Sequence, residues 1–461
     1  MKIVENAEKV AKERIIGTVC DILDKSDNPE KNINRIFGLI KKLSKDEDSK
    51  RGIANVQSYY NDMPSVHEFI NDILINTNKN CLKKFFTNFL ANAIWNGIPK
   101  REKWMEKEDT KIPFVLLISP SMRCNKHCTG CYAANYPKDS GLKYEEVDKI
   151  VGQARELGIH YIVVLGGEPF FVDYMWKIYE KYSDIQFTPF TNGSLITEEV
   201  AEKISKLGNV MPMLSLEGFE KETDARRGQG TFKRVMQSMD FLHDKGIPFG
   251  VSSATAKNNV DTVTAPEFIN MLIEKGARMS WYFIYMPVGE KPDLNNMLTP
   301  EQRIELGRRT RKIRTTMPYF TIDFFNDAPY VGGCIAGKYY CHINADGDVE
   351  PCIFAHIAVD NIRSKDLIDI FRGNLFKTLR HRQPYNKNML RPCMMIDNPH
   401  VIREVASTCN AHATDPSVDA MLHDEEFQKK IQKLADDFAP VAEEAWNKDF
   451  NGKGNEEFSR G

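Results

Sequence analysis

The chain lacks a dominant charge. Its 62 basic and 64 acidic residues leave a formal net charge of −2 over 461 residues. That balance excludes the broad basic field a nucleic-acid-binding surface needs. It also lacks an uninterrupted apolar run long enough to span a bilayer. The first residues, Met1-Lys2-Ile3-Val4-Glu5-Asn6, alternate charged and apolar side chains, so the apolar core of a secretory signal is missing. No repeat is visible beyond a strand-helix rhythm. A cytosolic protein is expected. The length, with 42% hydrophobic and 27% charged residues, is enough for two or three globular domains.

Cysteine is not scarce. There are ten, and in a reducing compartment they do not read as a disulfide framework. Cys20 and Cys81 stand apart and read as small buried apolar residues. The other eight fall between 124 and 409, near glycines, prolines and turns, where metal ligation is the better reading.

Residues 1–108 read as helical. Segment 81–95, Cys81-Leu82-Lys83-Lys84-Phe85-Phe86 through Trp95, is aromatic with two adjacent lysines. It reads as a helix packed on the main domain, with peripheral membrane or lipid contact as the alternative. From Phe114 the pattern changes. Apolar strands at Phe114–Ser119, Tyr161–Leu165, Gln186–Phe190, Met211–Leu216, Phe249–Thr255 and Ser280–Tyr285 alternate with helical stretches. Val147, Ile150, Val151, Ala154 and Leu157 form one apolar stripe that Gly158 ends. Six such units predict an α/β fold, a partial (β/α)6 TIM-like barrel. Its chemistry belongs at the strands' C-terminal ends. A helix from Pro300 to about Thr315 follows. Then comes a hairpin turning at Ala345–Asp348, which would set Cys341 across from Cys352. A last helix runs from about Glu425 to Trp446, and the polar tail from Asn451 reads as disordered. The expected domains are a helical 1–108, a barrel over 109–290, a linker helix with a small α+β auxiliary domain over 291–415, and a C-terminal helix and tail over 416–461.

Just after the first strand, Cys124, Cys128 and Cys131 form C-x3-C-x2-C. Soft thiolates suit an iron–sulfur cluster or zinc. Structural zinc wants four closed ligands, and the only other nearby donor is His127. Three cysteines bind three irons of a cubane and leave the fourth open. Gly166-Gly167-Glu168-Pro169 ends the second strand, where bare glycines permit close approach of a ligand. Asn192, Ser215, Glu217 and Ser253 stand at the ends of the third, fourth and fifth strands. Arg226 and Arg227 follow the fourth.

These motifs resemble the radical S-adenosylmethionine (radical SAM) enzymes, over residues 114–290 and more loosely over 330–410. The resemblance implies a 4Fe–4S cluster on Cys124, Cys128 and Cys131 whose open iron chelates S-adenosylmethionine (SAM). Tyr132, Gly166, Gly167, Glu168, Asn192, Ser215, Glu217, Arg227 and Ser253 would contact that cosubstrate. Reductive cleavage would give a 5′-deoxyadenosyl radical that takes hydrogen from an unactivated C–H bond. A reductant such as flavodoxin or ferredoxin is then a partner. The family's aromatic just before the third cysteine is replaced by Gly130, with Tyr132 just after. Cys334, Gly347 and Cys352, spaced C-x12-G-x4-C, resemble the opening of a SPASM or twitch auxiliary-cluster domain. Cys334, Cys352 and Cys393 are the expected ligands of a second 4Fe–4S cluster. The fourth ligand is left open between Cys341, Cys409, His412 and substrate, and scattered buried thiols or zinc are the alternative. The substrate, whether acyl chain, peptide or small metabolite, is not legible. An iron–sulfur electron-transfer or redox-sensing protein is the competing function.

Overall fold

The structure is a computed structural model that describes Thr18, residues 29–43 and residues 47–453. Cys20, the opening hexapeptide and the tail beyond Lys453 lie outside the described residues.

Six parallel strands form where the apolar runs are: β1 Val115–Ile118, β2 Tyr161–Val164, β3 Gln186–Thr191, β4 Met213–Ser215, β5 Gly250–Thr255 and β6 Met279–Ile284. They lie in sequence order. Each crossover is helical, as parallel pairing requires. Between β1 and β2 the helix Tyr144–Leu157 buries Val147, Ile150, Val151, Ala154 and Leu157 and stops at Gly158, whose φ of 88° is left-handed.

The sheet does not end there. β7, Phe320–Asp323, continues it beside β6 in parallel. β8, Tyr340–Ile343, lies parallel to β1 on the opposite flank, with Leu116 level with Cys341. β9, Val349–Glu350, pairs antiparallel with β8. The result is one nine-stranded sheet, ordered β7-β6-β5-β4-β3-β2-β1-β8-β9. The expected hairpin is present, but it extends the barrel's own sheet. β7 was missed because Phe-Thr-Ile-Asp alternates apolar and polar residues and lacks the continuous apolar run that marks β1 and β2.

The N-terminal helices include Lys79–Phe85, continued with π-helical turns through Phe86–Asn96, and Gly97–Glu108. The rings of Phe85, Phe86, Phe89 and Trp95 in segment 81–95 are half-buried. Phe89 packs edge-on against Phe114 and Tyr161, at the entrances to β1 and β2. Cys81 is fully buried. Asn88 and Asn92 donate to the carbonyls of Ser183 and Asp184. This helix therefore closes the bottom of the barrel, which favours the packed reading of 81–95 over lipid contact. Among the described residues no helix is long and apolar enough to cross a membrane.

The helix Pro300–Thr316 carries buried Arg303, which grips Asp397 through two bonds of 2.5 and 2.9 Å. Its guanidinium also lies 4.1 Å from the ring centre of Phe438 on the last helix, Glu425–Phe450. One cation thus ties together three segments distant in sequence.

Candidate functional site

The loop after β1 owes its shape to two glycines on β2's exit. Gly167 N donates to Ser121 O (2.9 Å), and Glu168 N donates to Arg123 O (2.8 Å). A Cβ on Gly166 would run into the Ser121 carbonyl, and one on Gly167 into that of Arg123. The glycines admit the backbone of the cysteine loop itself, rather than only a ligand as the sequence suggested. The loop then carries Cys124, Cys128 and Cys131, all half-buried, to the rim of a cavity of about 990 Å³.

That cavity is lined by the three cysteines together with Tyr132, Gly166, Gly167, Asn192, Ser215, Arg227 and Ser253. Strand ends separated by over a hundred residues meet there. Glu168 and Glu217 do not line it. Glu168 is buried and works as a strap. Its carboxylate accepts from Thr191 Oγ1 (2.7 Å) and from the backbone N–H groups of Asn192 (2.8 Å) and Phe170 (3.2 Å). Burial nevertheless raises its pKa. Glu217, also buried, accepts from Arg226 Nη1 (2.5 Å) and Arg227 Nε (2.7 Å) and, at its other oxygen, from Ala254 N (3.1 Å). Burial pushes that carboxyl up, but the two guanidiniums prevail and hold it below its ordinary value. So fixed, Arg227 Nη1 comes to 4.0 Å from Cys128 Sγ.

Further neighbours complete the loop's surroundings. Asn192 Nδ2 lies 2.9 Å from Asn125 Oδ1 and 3.9 Å from Cys124 Sγ. The ring of Tyr285, from β6's exit, occupies the space beside Gly130; a Cβ there would meet it at 2.6 Å. An aromatic is thus supplied next to the third cysteine from a strand end instead of from the loop. Behind Tyr132 stands His356, its ring nearly parallel at 6.3 Å. Fully buried Glu350 lies between His342 (2.6 Å) and His356 (3.5 Å) and accepts from Tyr136 (3.1 Å). No single-sequence signal distinguishes these side chains from ordinary hairpin residues.

The second cysteine group is built differently. Cys334 precedes β8, Cys352 follows β9, and Cys393 sits in the loop that Arg303 and Asp397 hold, with Asp397 Oδ2 accepting from Cys393 N (2.9 Å). Burial raises the Cys334 thiol to about 12, and the charges of Cys352 and Asp397 add to this. Burial also raises Cys352 and Cys393, the latter with help from Asp397 and Cys334. Against this, each sulfur accepts the N–H two residues on: Ala336 for Cys334, Phe354 at 3.5 Å and Met395 at 3.4 Å. Cys124 has the same partner in Lys126. Amides aimed at sulfur favour the thiolate, the form a cluster binds. Four of the six expected ligands share this feature, and the donor set fits iron–sulfur ligation. Among the described residues, no three His, Cys, Asp or Glu side chains converge as for a single metal ion.

The fourth-ligand candidates differ in their surroundings. β8 and β9 pair with His342 level with Glu350. Cys341 therefore faces Pro351, one residue short of the Cys352 expected from the turn. The Cys341 thiol is raised by burial alone. Cys409 ends the helix Pro399–Cys409. His412 is more than half exposed and lies 3.7 Å from Asp348. Tyr340 reaches the group: its hydroxyl donates to Cys352 Sγ (2.8 Å), and its ring lines the large cavity with Ile335 and Ile353.

Comparison with known proteins agrees with this geometry. Residues 118–258 match the Radical SAM superfamily, and residues 334–395 match SPASM, an iron–sulfur cluster-binding domain. An AdoMet-dependent heme synthase of Nitratidesulfovibrio vulgaris is 23% identical over 331 residues, 65% of this chain and 87% of that protein. Mycofactocin maturase MftC of Mycolicibacterium smegmatis is 26% identical over 259 residues, 53% of this chain and 65% of its own. Among solved structures, Streptococcus suis SuiB bound to S-adenosylmethionine shares the fold, with a TM-score of 0.55 at 22% identity. That match covers 65% of this chain and 76% of SuiB.

Proposed function

Because the chain is a radical SAM enzyme with a SPASM iron–sulfur domain, we propose that Cys124, Cys128 and Cys131 hold the cluster that engages SAM. Cys334, Cys352 and Cys393 would hold a second cubane. The observation that carries this reading is the meeting, at one cavity rim, of three half-buried thiols and the Arg227 guanidinium.

When bound, the reduced cluster supplies the one electron that splits the sulfonium, and the chemistry delivered is hydrogen abstraction from a C–H bond. The protein's own work is binding and alignment. Arg227 offers a fixed cation to the methionyl carboxylate. Asn192, Ser215 and Ser253 offer hydrogen bonds to the polar parts of the nucleoside, with Tyr132, Gly166 and Gly167 walling its path. Glu217 is a positioning residue for Arg227. Glu168 is a positioning residue for the ends of β2 and β3. The half-buried rim keeps bulk water from the reacting centre. A flavodoxin or ferredoxin in a reducing cytosol is the electron source this reading requires.

The test is anaerobic reconstitution with iron and sulfide, followed by SAM and dithionite. 5′-Deoxyadenosine is expected from the native chain. Its absence from fully loaded protein, with SAM bound weakly or not at all, would return the molecule to the class of iron–sulfur electron carriers.

A further inference from the structure

The cavity changes character with depth. Its charged lining residues all lie beyond the strands' C-terminal ends, Lys126, Lys138, Glu290 and Lys291 on loops and Arg226 and Arg227 at the end of the helix Glu220–Arg227. Below them the wall carries no charge. It descends through Leu117 to Val115, the first residue of β1, and across Trp281, Phe283, Ile322 and Phe324. In a closed barrel such inward side chains fill the interior. Here the sheet is open between β7 and β9, and the rings line a space instead of filling it. Phe283 and Phe324 are 5.0 Å apart, and Phe324 and Tyr340 are 5.7 Å apart, so the aromatic wall runs on to the second cysteine group.

A peptide needs a partner for every backbone amide it buries, and Val115, Leu117, Phe283, Ile322 and Phe324 in the deep wall carry no side-chain donor or acceptor. The strands that make the wall spend their own N–H and C=O groups on one another. A hydrocarbon makes no such demand. The rim, by contrast, is basic. Glu217 neutralises only one of Arg226 and Arg227, Glu290 reaches Lys291 loosely at 3.9 Å, and exposed Lys138 has no ion-pair partner among the described residues.

We propose that the substrate is an anionic amphiphile. Its uncharged hydrocarbon chain enters among the rings beneath the strand ends, and its carboxylate or phosphate head stays at the lysine rim. This deepens the SAM reading, which places the radical chemistry in the same cavity.

The reconstituted holoenzyme is titrated with palmitate below its micellar concentration, against hexanoate and AMP as probes lacking chain or apolar body. Palmitate is expected to bind at least tenfold more tightly than either. Phe283→Asp, which puts a charge among the rings, should weaken palmitate about tenfold or more. Lys138→Glu should weaken it a few-fold and flatten its salt dependence. Should Phe283→Asp fail to fold, the milder Trp281→Phe and Phe283→Ser are titrated in its place. Palmitate no tighter than hexanoate, or indifferent to folded chamber variants, overturns the proposal. Phosphatidylglycerol vesicles that displace palmitate assign the chain to a membrane lipid; vesicles that do not assign it to a free acid. The same preparation is assayed for 5′-deoxyadenosine. Palmitate binding without that product refutes the SAM reading alone, and the product without palmitate binding refutes the amphiphile alone.

Discussion

The two cysteine groups use the same side chain for opposite ends. Cys124, Cys128 and Cys131 come from one loop, are half-buried and open on the large cavity. Cys334, Cys352 and Cys393 come from three separate segments and do not themselves line the cavity, whereas their neighbours Ile335, Tyr340, Ile353 and Phe354 do. A loop alone assembles the first group, so it can form once β1 and β2 are in place. The second group exists only when the hairpin, the Arg303 helix and the Asp397 loop have met. The first is built for access; the second is part of what holds the C-terminal third together.

The comparison breaks most visibly at Cys128. Cys128→Ala should abolish 5′-deoxyadenosine formation and halve bound iron from about eight to about four per chain. The fold should survive, and the circular dichroism melt would show it. Cys393→Ala should cost the same four irons, about, but also lower the melting temperature, because folding there is coupled to ligation. Equal melts for the two alanine variants would erase the distinction between access and scaffold.

Glu217→Gln comes next. Two guanidiniums would lose the charge that fixes them, at a cost of about 3 kcal/mol. SAM affinity should fall about tenfold as Arg227 swings from Cys128, read by equilibrium dialysis. This pair also has a pH signature. The Glu217 carboxyl is held low in the fold, so its stabilisation is whole above the unfolded carboxyl range, near pH 4. It is lost as pH falls further through the folded value. Acid melts of Glu217→Gln should lack that last loss. Gly167→Ala should displace the Arg123 carbonyl, costing about 1–3 kcal/mol and most SAM cleavage. The smallest effect belongs to Cys341→Ala. It should leave all about eight irons bound and cost only about 1 kcal/mol of packing. Loss of iron there would restore Cys341 as a ligand.

The six parallel strands were legible because each is an apolar run between helical stripes, and the first cysteine group because its spacing sits in one loop. β7 was not, because Phe-Thr-Ile-Asp alternates apolar and polar residues and shows no apolar run. The Cys341–Cys352 register failed by one position because the turn was placed by its residues, while the ladder sets His342 against Glu350. Glu168 and Glu217 were read as groups facing a ligand. A sequence shows a carboxylate at a strand end but not the N–H groups and guanidiniums that claim it. Tyr285 was legible as the end of the sixth strand, but its place beside Gly130, more than 150 residues away, was not, because single-sequence patterns carry no signal at that distance.

β1 pairs on one side with β2 and on the other with β8, Leu116 lying level with Cys341 more than two hundred residues later. On the ribosome, the first strand's outer edge therefore waits unpaired while more than two hundred further residues are made. An open, apolar edge is a template for pairing with a neighbouring nascent chain. Chains truncated before β8 should aggregate during synthesis, and the hairpin that carries toward Cys352 doubles as the seal on the barrel's first strand.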